Sequence, residues 1–210
     1  MTASGQQAGP RSDLNIWLGR DAPDHEDPAF VRLAEALQRL QNRVASSRPP
    51  SEVCVAAASE LGVLTSVLDE YVVPEAIQVA GRQLTRPARG QTLLPPIHVD
   101  AYDGEHLAAR VTFTRFYLGS NAAAHGGAIA LLFDDVLGQL ANGPGQPRAR
   151  TAYLRTDYRS IVPIDRELVV TADTSRVEGR KIFIEGAIRD GGRVLSEASG
   201  LFVRLQQHHE

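Results

Sequence analysis

Two adjacent carboxylates, Asp134 and Asp135, interrupt the otherwise apolar run AIALLFDDVLGQLA. Leu131, Leu132, Phe133, Val136 and Leu137 surround them. A carboxylate on an apolar helix is costly unless it is paired or hydrated, and burial raises its pKa. Ala130 and Gly138 lie at i−4 and i+4 from Asp134, so small side chains leave room for a ligand beside it. The alternative is that either Asp merely faces solvent on the helix's one wet edge. His125-Gly126-Gly127 directly precedes the run. Glycines at a helix start let a ligand approach the backbone N–H groups closely. Those groups carry partial positive charge and can hold a developing oxyanion. Beside them, Asp134 could act as general base on water or as nucleophile on an acyl carbon. The eight residues from Gly126 to Asp134 would span about 12 Å of helix. One small acyl group cannot easily touch both ends. A donor from one chain and a carboxylate from another, in a symmetric dimer, would solve this.

Other chemistries find less support. No G-x-S-x-G is present, so a Ser-His-Asp hydrolase is not indicated. His25, His98, His106, His125, His208 and His209 show no HxxxH or HExxH spacing, and no metal or cofactor is expected. His208 and His209 read as tail. The single Cys54 cannot make an internal disulfide.

These residues need a scaffold. Residues 1–27 are expected to form a disordered tail, the first dozen being mostly Gly, Ser, Gln and Thr. Asp27 reads as an N-cap with Pro28 at the first helical position. Phe30, Leu33, Ala34, Leu37, Leu40 and Val44 then recur at helical spacing to about Ala45. SSRPP breaks that helix, and a second is predicted from Ser51 to about Tyr71. Residues 28–90 thus read as a helical extension and linker, with GRQLTRPARGQTLLPP over 81–96 as an irregular wrap. Residues 91–207 form the second unit. Ile97–Tyr102 and Leu107–Tyr117 alternate as strands, with Val111, Phe113, Arg115 and Tyr117 on one face. The 126–141 run is apolar nearly all round, as a mostly buried helix should be. Four further strands follow, with turns at Pro163–Asp165, Glu178–Gly179 and Asp190–Gly192. The expectation is an antiparallel meander in an α+β fold.

The formal net charge of −3 argues against a whole-chain attraction to nucleic acid or anionic membrane. The start lacks an apolar signal-peptide core, and no uninterrupted apolar run is long enough for a membrane span. A cytoplasmic setting is therefore expected. Bases gather late in the chain: ten against seven acids from Arg148 to Arg193. That half could receive an anion, although scatter over solvated surface explains most such residues.

HGGAIALLFDD resembles the signature of the hotdog-fold acyl-CoA thioesterases, most closely their HGG-containing, phenylacetic-acid-pathway-like branch. The resemblance covers about residues 95–206 and is most specific over 125–160. It implies an antiparallel sheet of five to six strands wrapped around a long central helix, in a homodimer or homotetramer with shared active sites. It implies hydrolysis of an acyl-CoA to a free acid and CoA. His125 and Gly126 match the HGG start, where the first glycine N–H polarises the thioester carbonyl. Asp134 matches the catalytic carboxylate. Thr151 matches a Ser/Thr whose hydroxyl holds the attacking water. Gly127 and Asn121 join the substrate-binding set. Relatives often carry Asn six residues before the motif histidine, where this chain has Gly119; Asn121 lies two residues nearer. CoA carries three phosphate groups, and Arg155, Arg159, Arg180 and Lys181 are candidates to contact them. The alternatives are a non-catalytic acyl-CoA-binding or regulatory module and a hotdog dehydratase. The dehydratase would need an Asp–His pair beside the central helix. Asp103 and His106 are near each other, but in a turn.

Overall fold

The computed structural model describes residues 27–81 and 87–206. The expected disorder of the N-terminal tail and the reading of His208 and His209 lie outside these residues, as does the middle of the 81–96 wrap.

Helix α1 runs from Pro28 to Ser46 and α2 from Ser51 to Asp69. The Asp27 carboxylate accepts the Ala29 N–H at 2.8 Å and so caps α1. Strands β1 (Ile97–Tyr102) and β2 (His106–Thr112) follow, then α3 (Gly126–Ala141). Strands β3 (Ala149–Tyr158), β4 (Glu167–Glu178), β5 (Lys181–Asp190) and β6 (Arg193–Arg204) complete the unit. The six strands form one antiparallel sheet in the order β1-β2-β4-β5-β6-β3, against which α3 packs.

The core follows from two periodicities. On α3, Ile129, Leu132, Phe133, Val136, Leu137 and Leu140 recur at helical spacing and are buried. On the sheet, alternate residues point inward. Register sets them side by side: Val111 opposite Leu168, Ala109 opposite Val170, Leu107 opposite Ala172. Beneath Leu137 the sheet carries Gly186 and Gly200. A Cβ on Gly186 would stand 2.8 Å from the Leu137 side chain, so glycine there lets helix and sheet close up.

Two expectations need correction. The second strand ends at Thr112, and Arg115–Tyr117 form a 3₁₀ turn. Its alternation was genuine as a burial signal, since Phe113 and Tyr117 are both buried. Their packing is edge-to-face, 6.0 Å between ring centroids, which a turn achieves as well as a strand. The meander is also incomplete. Only β4, β5 and β6 follow one another as neighbours, while β3 pairs with β6 and lies at the sheet edge. Residues 159–166 therefore connect strands that are not adjacent.

The extension is stitched to the sheet unit by polar contacts. The Asn42 side chain accepts the Phe116 N–H at 3.0 Å, and Gln38 Nε2 donates to the Gln91 carbonyl at 2.9 Å. Tyr117 Oη donates to the Leu93 carbonyl at 3.3 Å, and burial pushes this phenol well above its usual range. Helix α2 differs from α1: every one of its residues is exposed. It is long and apolar enough, by length and composition alone, to cross a membrane, with a mean hydropathy of 1.4. The expectation of no span rested on uninterrupted runs, and Glu60 does interrupt this one. Length and composition are weak grounds for a span, because core helices pass the same test.

Candidate active site

Helix α3 sets out the site along its length. At its start, His125 Nδ1 accepts the Gly127 N–H at 3.0 Å, so the imidazole is the N-cap of α3. The His125 carbonyl accepts the Ala128 and Ile129 N–H groups. Gly127 thus has its donor engaged, whereas the Gly126 N–H has no partner among the described residues. Of the two glycines, Gly126 offers the free donor. Tyr158 at the end of β3 donates to the Gly126 carbonyl at 2.9 Å and fixes that peptide.

The loop before this start is tightly wound. Asn121 and Ala122 both have positive φ, 51° and 57°. Gly119 accepts no side chain easily, since its Cβ would stand 3.0 Å from the His125 Cα. The departure at Gly119 therefore has a local reason: the loop folds back on the histidine it presents. Asn121 lies exposed at the turn of that loop.

Eight residues further along α3, Thr151 Oγ1 donates to Asp134 Oδ1 at 3.0 Å. Both residues are exposed in the single chain. A β-bulge lies between Thr151 and Tyr153. Thr151 pairs with Phe202, whose side chain is buried in the core, so the Thr151 hydroxyl is on the helix side of the sheet. The hydroxyl and the carboxylate that the family resemblance implied for one site are thus in hydrogen-bond contact.

The cost of burying a carboxylate falls on the other aspartate. The Asp135 side chain is only 6% exposed. Arg89 Nη2 donates to its Oδ1, and Gln139 Nε2 donates to its Oδ2 at 2.7 Å. Burial raises the Asp135 pKa, and the Arg89 charge and the Gln139 hydrogen bond oppose that rise. The apolar surroundings had pointed to Asp134 as the carboxylate needing a partner. The 100° turn between successive helical residues puts Asp135 inward and leaves Asp134 at the open edge. Neither Arg89, in a linker, nor the Asp135–Gln139 pair was singled out from sequence; the i, i+4 spacing of the latter was the available signal.

The four candidate phosphate contacts do not gather at this site. Arg155 and Arg159 alternate with the inward residues of β3 and lie on the sheet's outer face. Arg155 pairs with Asp157 at 3.1 Å and Arg159 with Glu197 at 2.7 Å. The Glu197 hydrogen bond raises the Arg159 pKa further. Lys181 begins β5 on the same outer face, and Arg180 Nη1 donates to the Arg204 carbonyl at 3.2 Å. His106 is 2.7 Å from Asp173, an exposed pair away from α3. Among the described residues, no three His, Cys, Asp or Glu side chains come together as a metal would require.

A long helix packed against one antiparallel sheet, with a glycine N–H unengaged among the described residues at its start and a carboxylate–threonine pair midway, has the architecture of a hotdog fold. Residues 121–197 match the model of the Thioesterase superfamily. A solved thioesterase-superfamily protein superposes with a TM-score of 0.72 at 28% identity, over 87% of this chain and 93% of that one. That coverage exceeds the sheet unit, so the likeness takes in part of the helical extension too. Bovine (Bos taurus) acyl-coenzyme A thioesterase THEM4 is 35% identical over 83 residues, 39% of this chain and 33% of that protein. The mouse (Mus musculus) THEM4 is 36% identical over 83 residues, 39% of this chain and 35% of its own length. This chain therefore spans about a third of the length of the curated relatives it matches.

Proposed function

We propose that this protein hydrolyses an acyl-CoA thioester to a free acid and CoA, within the HGG-containing branch of the superfamily. The observation that carries the proposal is the Asp134–Thr151 contact on the open edge of α3. In this reading the unengaged Gly126 N–H polarises the thioester carbonyl and stabilises the oxyanion. Asp134 activates water, or attacks the carbonyl carbon itself, and Thr151 holds the water. His125 caps the helix that aims Gly126 and serves as a structural hydrogen bonder rather than a proton shuttle. The helical run from Gly126 to Asp134 is about 12 Å long, and β3 is an edge strand of ten residues beside Asp134. Both features support a homodimer in which one subunit's Gly126 works with its partner's Asp134. A cytoplasmic setting belongs to the same reading; the one cysteine among the described residues, Cys54, is an exposed free thiol.

The test is a panel of acyl-CoA esters, from acetyl through aryl to long chain, with release of free CoA as the signal. Asp134→Asn should lower kcat by about 10²-fold, the scale of a lost general base, with the fold retained. A cleanly folded Asp134→Asn protein with undiminished kcat would overturn the assignment. CoA-ester binding without turnover on any ester would establish a binding module instead.

A further inference from the structure

We propose that Arg89 is a positioning residue: from the extension, it clamps α3 at Asp135 and so holds the neighbouring Asp134 against Thr151. The inference rests on the acyl-CoA hydrolase reading above and names a part of that site lying outside the sheet unit.

Arg89 belongs to a 3₁₀ turn, Pro87–Gly90, and has φ of 53°, a left-handed conformation for a non-glycine residue. Its carbonyl accepts the Gly81 N–H at 3.0 Å. Its guanidinium reaches a carboxylate 46 positions along the chain. Two residues later the Gln91 carbonyl is held by Gln38 of α1, and the Leu93 carbonyl by Tyr117. The linker is therefore anchored just after Arg89, and the ion pair carries that anchorage to α3.

The receiving end is just as constrained. Asp135 uses one oxygen for Arg89 and the other for Gln139, one turn further along the same helix. Asp134 and Asp135 project about 100° apart. Fixing Asp135 on its inner side thus fixes the rotation of α3 that presents Asp134 to Thr151 at its outer side. Charge enters as well. The buried Asp135 carboxylate has the guanidinium beside it, and Asp134 adjoins it in the chain. Without Arg89, that buried charge would be left unpaired one residue from the reacting carboxylate.

The experiment compares the full-length wild type, Arg89→Gln, Arg89→Lys, Asp135→Asn and the double variant Arg89→Gln/Asp135→Asn. Arg89→Gln should lower kcat about tenfold with KM little changed, the pattern of a displaced catalytic group. Arg89→Lys should recover most of the loss because it keeps the charge. The double variant should be more active than Arg89→Gln alone, because removing both partners leaves no unpaired charge. Hydrogen exchange gives a readout free of turnover: in Arg89→Gln, amides of 87–93 and of 134–139 should lose protection together. Wild-type kcat in a folded Arg89→Gln protein, or loss of protection confined to 87–93, would overturn the clamp. Wild-type protein inactive on every ester would overturn the hydrolase reading instead, while the exchange data still decide whether Arg89 holds α3.

Discussion

At the scale of single residues, the proposed site rests on one hydroxyl and one carboxylate. Thr151 is β-branched and sits in a strand, where such residues are common for reasons of packing alone. Its 3.0 Å bond to Asp134 distinguishes the hydroxyl from the branch. Thr151→Val keeps the shape and removes the donor. It should lose about tenfold in kcat, or about 1.4 kcal/mol of transition-state stabilisation, while Thr151→Ser stays close to wild type. Steady-state kinetics on the best ester of the panel would show this. Equal activity in the Val variant would make Thr151 a plain strand residue, and equal loss in both would point to its methyl group. Asp134 and Gly126 stood out by residue type and spacing, whereas Thr151 was singled out only through the family resemblance. Arg89 was not, because an arginine in a Gly- and Pro-rich linker has no periodicity to betray where its side chain goes. The placement of the phosphate candidates was hidden for a related reason. Their positive charge was readable, but the parity that turns Arg155 and Arg159 away from α3 depends on a bulge invisible in sequence.

At the scale of elements, periodicity served well where a segment was long. The bounds of α1, α3 and the last four strands follow from caps, turn residues and alternation that agree with one another. It failed at Arg115–Tyr117, where two buried aromatics four apart, Phe113 and Tyr117, looked like more strand. The connection into α3 is the element with stored strain. Ala122 has φ of 57°, and a Cβ-bearing residue pays for that conformation. The loop is held there by the Ala122 carbonyl accepting the Ile164 N–H at 3.2 Å and by Ala124 N–H donating to Val162 at 2.8 Å. Ala122→Gly should raise stability by about 1 kcal/mol, as relief of left-handed strain allows. Urea denaturation would measure it. A loss of stability would show that the added backbone freedom of the unfolded glycine outweighs the relief.

At the scale of the whole molecule, the extension and the sheet unit are coupled through Asn42, Gln91, Leu93 and Arg89. Sequence reading divided them at residue 90, and composition alone supports that boundary. It cannot show side chains crossing it. The proposed sharing of sites between subunits gives a prediction at this scale. Subunits carrying Asp134→Asn, mixed with subunits disabled at Gly126, should regain activity in the mixed dimers, because one of the two sites then has both parts intact. Separation of tagged heterodimers followed by assay would decide it, and inactive heterodimers would mean that each chain works alone.

The strand order has a consequence for how the molecule comes into being. Strand β3 finishes at Tyr158, but its neighbour β6 begins only at Arg193. During synthesis β3 must wait, with both of its edges open, until the last strand arrives. The nearer contacts can form first: β4 with β5, and β1 with β2, each closing a short loop at small entropic cost. The strand that carries Thr151 closes last, over the longest delay of any pairing in the β3–β6 region. A chain interrupted before Arg193 would therefore present β3 as an unpaired template to its neighbours.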